Sequence, residues 1–269
     1  MPELPEVETL VQQLKKRVLG KKITQIEIID PKVVDPKIKK ISPFKITKIY
    51  RRAKSIIIET NNNYFLHVHL RMTGHFHFAP KTKLSSLDPY KKFIVAKFHI
   101  SDDSLLTHNS IRKFGHINLL NKQQLQKELS KLGPEPLDKK FTLKKFKEII
   151  TKKYRANVKT TLMDQNFIAG VGNIYAQEAL YHAHIDPRRK ISSLEEKEIS
   201  LLYQQIRKVL HKAIQHHETT VENYVHIEGT GGFQKYLAVY QKNSCPKKHP
   251  TKKTTLGGRG TFYCPQCQK

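Results

Sequence analysis

The apolar period of the chain changes at a breaker cluster, Leu132-Gly133-Pro134-Glu135-Pro136-Leu137, and that change limits the fold more than any other feature. Ahead of it, Val7, Leu10, Val11, Leu14 and Val18 follow the i, i+3, i+4 spacing of one buried helix face, with Gly20 as a stop. Short β-branched or aromatic runs follow at Ile23–Ile29, Ser55–Thr60, Tyr64–Met72, Phe93–Ile100 and His116–Leu120, and Asn61-Asn62-Asn63 reads as a hairpin turn. Beyond the cluster the helical period returns over Phe141–Ile150, Val158–Met163 and Asn173–Ala183. A long helix is expected from about Leu194 to His216, capped by Ser193 with Glu196. The class is therefore α+β, a helix and a β-rich sandwich or barrel followed by a helical domain. The expected boundaries are 1–131 for the first domain, 132–140 for a linker, 141–240 for the helical domain and 241–269 for a small Lys-rich, Cys-containing module.

A chain of 269 residues with 38% apolar residues has enough apolar surface for about two cores. Its 49 Lys+Arg against 23 Asp+Glu give a net charge of +26, which points to a polyanionic partner, nucleic acid first. A basic membrane-surface protein and a merely Lys-rich composition are the alternatives from charge alone. No run of about 18 apolar residues occurs, so no membrane span is expected. The acidic start, MPELPEVETL, lacks the basic-then-apolar pattern of a secretory leader, and a cytoplasmic location is expected. Three cysteines, all between Cys245 and Cys267, do not make a disulfide framework and suit a metal-stapled module.

The N-terminus carries the first chemistry. A small second residue favours loss of Met1, which leaves Pro2 with a free secondary amine whose pKa lies near 8. Such an amine is largely neutral at pH 7–8 and can attack a sugar C1′ or a carbonyl to form an iminium. Glu3 and Glu6, three residues apart in the first helical turn, put an acid beside it. Proline and glutamate are also ordinary residues at a helix start.

The string MPELPEVET resembles the N-terminal signature of the bacterial formamidopyrimidine-DNA glycosylase family, and the resemblance runs through the whole chain. It continues at Arg52-Ala53-Lys54, His67–Gly74, Arg112-Lys113-Phe114-Gly115, the Leu132–Leu137 cluster, Leu162-Met163-Asp164, Gly170–Tyr175 and Gly258–Cys267. It implies an N-terminal β-sandwich preceded by a helix, then a helical domain with a helix–two-turns–helix element and a β-hairpin zinc finger. The implied activity is excision of oxidised purines from duplex DNA, through a Schiff base on Pro2 followed by β- and δ-elimination. By the resemblance, Glu3 donates a proton to the sugar ring oxygen and Glu6 supports the site. Lys54 holds a phosphate and serves β-elimination, and Arg259 serves δ-elimination. Met72, Arg112 and Phe114 fill the void left by an extruded nucleotide. His69 and Asn173 contact phosphates, and Arg155 and Lys159 face the DNA or else form a solvated basic face. His67 and His75 match no family contact and are expected to be surface or strand histidines. Thr219, Val221, Glu222, Asn223 and Tyr224 fall in the loop that folds over the base, and Tyr90 stands roughly where some relatives carry a DNA-contacting histidine.

The finger departs from the family pattern of two C-x2-C pairs. Cys264 and Cys267 form one pair, but Lys248 stands where the other pair needs its second cysteine. His249, one position on, completes a Cys3His set with Cys245, Cys264 and Cys267 for one structural Zn2+. A hairpin without metal that still presents Arg259 is the alternative. The expected partner is double-stranded DNA containing an oxidised base, the expected state a monomer without membrane attachment. An endonuclease VIII-type enzyme for oxidised pyrimidines and a catalytically silent DNA-binding relative are the competing readings; Leu4 and the Arg112-Lys113-Phe114 wedge favour the purine branch.

Overall fold

The computed structural model describes residues 1–83, 91–216 and 233–269. These fall into two compact units, residues 1–130 and residues 131–216 with 233–269.

The first unit opens with helix α1 (Leu4–Val18). Its stripe of Leu4, Val7, Leu10, Val11, Leu14 and Val18 is fully buried, as the spacing requires. Among the described residues eight antiparallel strands follow: β1 (Lys22–Ile28), β2 (Phe44–Arg52), β3 (Ser55–Thr60), β4 (Phe65–His69), β5 (Gly74–Ala79), β6 (Ile94–Ile100), β7 (Leu105–Ser110) and β8 (His116–Leu120). Their hydrogen-bonded order is β5-β7-β6-β1-β2-β3-β4-β8. Strands β1 and β2 pair only at Lys22–Lys45 and Ile23–Phe44, so the sheet divides there into two four-stranded layers. Ile23, Phe76, Phe98 and Leu106 from one layer enclose a common core with Ile46, Ile58, Leu66, Val68 and Ile117 from the other. This is a sandwich, the first of the two architectures left open by the strand pattern.

The structure adds three strands. In β2 the register shifts between Ile46 and Lys48, which breaks the period-two alternation. In β5 and β7 the interior positions include His75 and His108, both fully buried, so the strands do not read as apolar. Strand β4 stops at His69, and Leu70–Thr73 form a turn rather than the expected strand end. Helix α2 (Lys122–Ser130) closes the unit; it fully buries only Leu125, with Leu129 one turn on partly covered.

The second unit contains α3 (Leu143–Thr151), α4 (Val158–Met163), α5 (Asn173–His182), α6 (Glu196–Gln215) and the hairpin β9 (Lys252–Leu256) with β10 (Arg259–Tyr263). Thr142 and Asn157 cap α3 and α4. The expected Ser193–Glu196 cap of α6 is displaced: Ser193 ends a 3-10 turn, and Glu195 with Glu198 makes the capping box, the Glu195 N–H donating to Glu198 at 2.8 Å. Leu202, Ile206, Val209 and Leu210 are the buried stripe of α6, while Ile214 is only partly covered. Among the described residues, no helix is long and apolar enough to cross a membrane.

Candidate active site, phosphate network and metal centre

Pro2 is buried immediately before α1, next to Glu3 (2% exposed) and Glu6 (0%). The two glutamates form a reciprocal capping box in which the Glu3 N–H donates to Glu6 Oε2 at 2.7 Å. Glu6 thus fixes the backbone of Glu3, and both carboxylates lie at the positive end of the helix dipole. Lys54, 6% exposed, sits in the β2–β3 turn behind Ala53, whose φ is 53°. Arg51 ties that turn to α1: its Nε donates to Glu8 at 2.9 Å and its Nη1 to the Ala53 carbonyl at 3.1 Å.

His69 ends β4 opposite His116 on β8. Burial, with Arg71, neighbouring histidines and Lys54 adding positive charge, pushes His69 down to about 3. Its ring is neutral at physiological pH. The Arg71 N–H donates to Nδ1 at 3.1 Å, so the proton sits on Nε2 and His69 presents an N–H donor. His67 is also pushed down by burial, to about 4, and lies 3.0 Å from the Ser55 hydroxyl. It is half-buried in a strand, and His75 is fully buried against the Thr73 carbonyl, so neither is a surface group.

Two corner turns carry Met72, Arg112 and Phe114. The first joins β4 to β5, the second β7 to β8, and both cross from one layer to the other. The first turn is so tight that a Cβ on Gly74 would lie 2.5 Å from the Leu70 carbonyl oxygen, and the second passes so close to its start that a Cβ on Gly115 would lie 2.8 Å from the His69 carbonyl oxygen. Only glycine fits at either place. Arg112 donates to Met72 Sδ at 3.0 Å, and its guanidinium lies 4.8 Å from the centre of the Phe114 ring. The three side chains form one cluster, with Phe114 58% exposed at its tip.

In the second unit Asn173 starts α5 after an N-cap at Gly172. Lys159 on α4 is 0% exposed, which excludes a solvated basic face for it. Its ammonium donates to Asn173 Oδ1 at 2.6 Å and to Thr261 Oγ1 at 2.9 Å. Asn173 Nδ2 in turn donates to the Gly260 carbonyl at 3.1 Å. Arg155 is exposed in the turn before α4. Arg259 is exposed at the start of β10, directly after Gly257 and Gly258, whose φ values of 57° and 69° make a tight two-residue turn.

Cys245, His249, Cys264 and Cys267 bring four donor atoms within 4.8 Å of one another. His249 Nδ1 lies 3.2 Å, and Cys245 Sγ 3.9 Å, from Cys267 Sγ. A tetrahedral zinc with Zn–S near 2.3 Å and Zn–N near 2.0 Å has edges of about 3.5–3.8 Å, so the set suits zinc in size and chemistry. The extra residue between Cys245 and His249 is taken up by Lys248, which adopts φ 64° while the Cys245 N–H donates to the His249 carbonyl at 2.9 Å. The Lys248 ammonium can serve no metal. Tyr181, Ala238 and Val239 pack against Cys245 and Cys264. Glu178 on α5 accepts the backbone N–H groups of Ala238, Val239 and Tyr240 at 2.6–3.0 Å, fixing the segment that enters the module.

Family models match three stretches: the formamidopyrimidine-DNA glycosylase N-terminal domain over residues 1–117, the formamidopyrimidine-DNA glycosylase H2TH domain over 132–225, and the zinc finger found in FPG and IleRS over 248–269. The formamidopyrimidine-DNA glycosylase of Pelotomaculum thermopropionicum is 38% identical over 282 residues, covering 100% of this chain and 99% of that protein. The chain belongs to the formamidopyrimidine-DNA glycosylase family. The Protochlamydia amoebophila glycosylase is likewise 38% identical, and 100% of both chains is covered. Among solved structures, Lactococcus lactis Fpg with abasic-site DNA matches with a TM-score of 0.90 at 34% identity over 99% of both chains. MutM with carbocyclic 8-oxo-G DNA matches at 0.90 and 35% identity over 100% of both.

For this family member, Tyr90 and the loop residues Thr219, Val221, Glu222, Asn223 and Tyr224 lie outside the described residues. Glu8, Arg51, Gln177 and Thr261, by contrast, hold the site together and were not expected. Each is polar and unremarkable in sequence, and it is met by partners tens of residues away.

Proposed function

We propose that the chain is a base-excision DNA glycosylase and AP lyase that removes oxidised purines, 8-oxoguanine and formamidopyrimidines, from duplex DNA. The observation that carries this reading is the start of α1, where Pro2 is buried against a capping box of two carboxylates and the lysine-bearing turn is tied to the same helix. With Met1 removed, the Pro2 amine attacks C1′, the glycosidic bond breaks and the base leaves with a proton. Glu3 protonates the ring oxygen, so the sugar opens to an iminium on Pro2. Loss of a C2′ proton expels the 3′ phosphate as the C3′–O bond breaks, with Lys54 holding the phosphate. Loss of a C4′ proton then expels the 5′ phosphate as the C5′–O bond breaks, beside Arg259, and water releases the opened sugar from Pro2. The cations act by stabilising charge on departing phosphates.

His69 and Asn173 are assigned to phosphates, and Met72, Arg112 and Phe114 to the space vacated by the flipped nucleotide. The loop residues Thr219, Val221, Glu222, Asn223 and Tyr224 are assigned to the extruded base, and Arg155 to the DNA face. Cys245, His249, Cys264 and Cys267 hold one Zn2+, which supplies structural closure of the module presenting Arg259. The chain divides into a catalytic domain (1–131), a linker (132–140), a helix–two-turns–helix domain (141–240) and the finger (241–269). It works as a monomer on DNA in the cytoplasm.

Pro2→Gly tests the reading, because it keeps an N-terminal amine but changes its character. Lyase activity is expected to fall by about two orders of magnitude or more while binding to an abasic duplex changes little. An equal loss of both would contradict the assignment.

A further inference from the structure

We propose that Lys159 and Thr261 form a buried positioning pair that fixes where Arg259 is presented, so that this lysine serves the second strand cut rather than binding phosphate. The inference rests on the reading above. A two-stranded hairpin is marginally stable alone, and Arg259 follows directly on a glycine turn. Three consecutive residues of β10, Gly260, Thr261 and Phe262, are therefore held from outside it, and Thr261 passes that constraint on to Arg259. Thr261 Oγ1 donates to the Arg259 carbonyl at 3.0 Å, and Asn173 Nδ2 and Gln177 Nε2 donate to the Gly260 carbonyl at 3.1 and 3.3 Å. The Phe262 N–H donates to Gln177 Oε1 at 2.5 Å.

Lys159 sets the direction of this network. An ammonium has donors only, so it turns Asn173 Oδ1 toward itself and leaves Nδ2 for Gly260. It likewise occupies an acceptor position on Thr261 Oγ1, so that the threonine proton goes on to the Arg259 carbonyl. A residue needed only to fill space between α4 and β10 would be apolar, since burying a charge is costly unless it is met by acceptors. Here the charge orders two acceptors that both lead to residues 259–260. Thr261 is itself 0% exposed, so solvent does not compete for these bonds.

The test uses the zinc-loaded full-length protein on a duplex with a preformed abasic site, at saturating enzyme in single turnover. Products of β-elimination alone and of β,δ-elimination are separated on a denaturing gel. Thr261→Val, isosteric but without the hydroxyl, is expected to lower the δ-to-β rate ratio roughly tenfold or more. Thr261→Ser, which keeps the hydroxyl, is expected to stay within about twofold of the parent. Lys159→Met, similar in volume but without donors, must shift the ratio in the same direction. An unchanged ratio in either folded variant overturns the proposal. If the parent protein makes no δ product at all, the functional reading fails instead, and the two failures are thus distinguishable.

Discussion

Arg51 joins Glu8 of α1 to the carbonyl of Ala53 in the β2–β3 turn, with contacts of 2.9 and 3.1 Å from one guanidinium. Helix and turn come from different parts of the chain, and this side chain holds Lys54 at a set distance from the helix that begins at Pro2. Both partners are largely buried, with side chains 10% and 23% exposed.

Arg51→Met should therefore slow β-elimination more than it weakens DNA binding. We expect a loss of roughly ten- to a hundredfold in the single-turnover lyase rate, since misplacement by about 1 Å is enough for that. It should also cost about 1–3 kcal/mol of stability, because Glu8 loses its cation and keeps only the Gln12 amide as a partner. Lyase rates and thermal melts on the same preparation check both, and a normal rate in a destabilised protein would contradict the positioning role.

The cluster of Met72, Arg112 and Phe114 should matter for extruding a base and not for cutting a site that has none. Phe114→Ala is expected to lower excision of 8-oxoguanine about tenfold or more while cleavage at a preformed abasic site changes within about threefold. Single-turnover rates on the two duplexes decide it; equal effects would make Phe114 a general binding residue.

Acid should destabilise the first unit through His108. Burial pushes that ring from its ordinary 6.5 down to about 3. The unfolded chain takes up its proton near 6.5, before the folded one can, so the ring's contribution is complete above that pH and is lost as pH falls toward 3. His108→Leu should flatten the fall in melting temperature between pH 6.5 and 4. A slope as steep as the parent's would contradict this.

Much of this was legible in sequence where a pattern is local. The stripe of α1, the hairpin at Asn61–Asn63, whose last residue has φ 61°, and the helices after Pro136 follow from spacing and turn chemistry alone. Strands β5 and β7 were not, because histidines occupy their interior positions, and β2 was hidden by its register shift. The burial of Lys159 was equally invisible: in a chain with 49 Lys+Arg, one lysine ahead of a glycine turn reads as surface. Its acceptor Thr261 lies 102 positions away and meets it where the hairpin packs on α5 and α4.

The metal prediction concerns His249. The intact protein is expected to carry one zinc per chain by elemental analysis, and His249→Ala should bind it at least tenfold more weakly. Lys248→Ala should leave zinc content unchanged. Full zinc occupancy in both variants would remove His249 from the ligand set.

The most direct measurement is borohydride trapping of protein confirmed by mass to begin at Pro2, on duplex DNA with one 8-oxoguanine opposite cytosine and a dihydrouracil duplex in parallel. The account predicts a covalent complex on the 8-oxoguanine strand whose adduct maps to the Pro2 nitrogen. Trapping on dihydrouracil alone would contradict the purine assignment, and no trapping on either duplex would contradict the iminium chemistry itself.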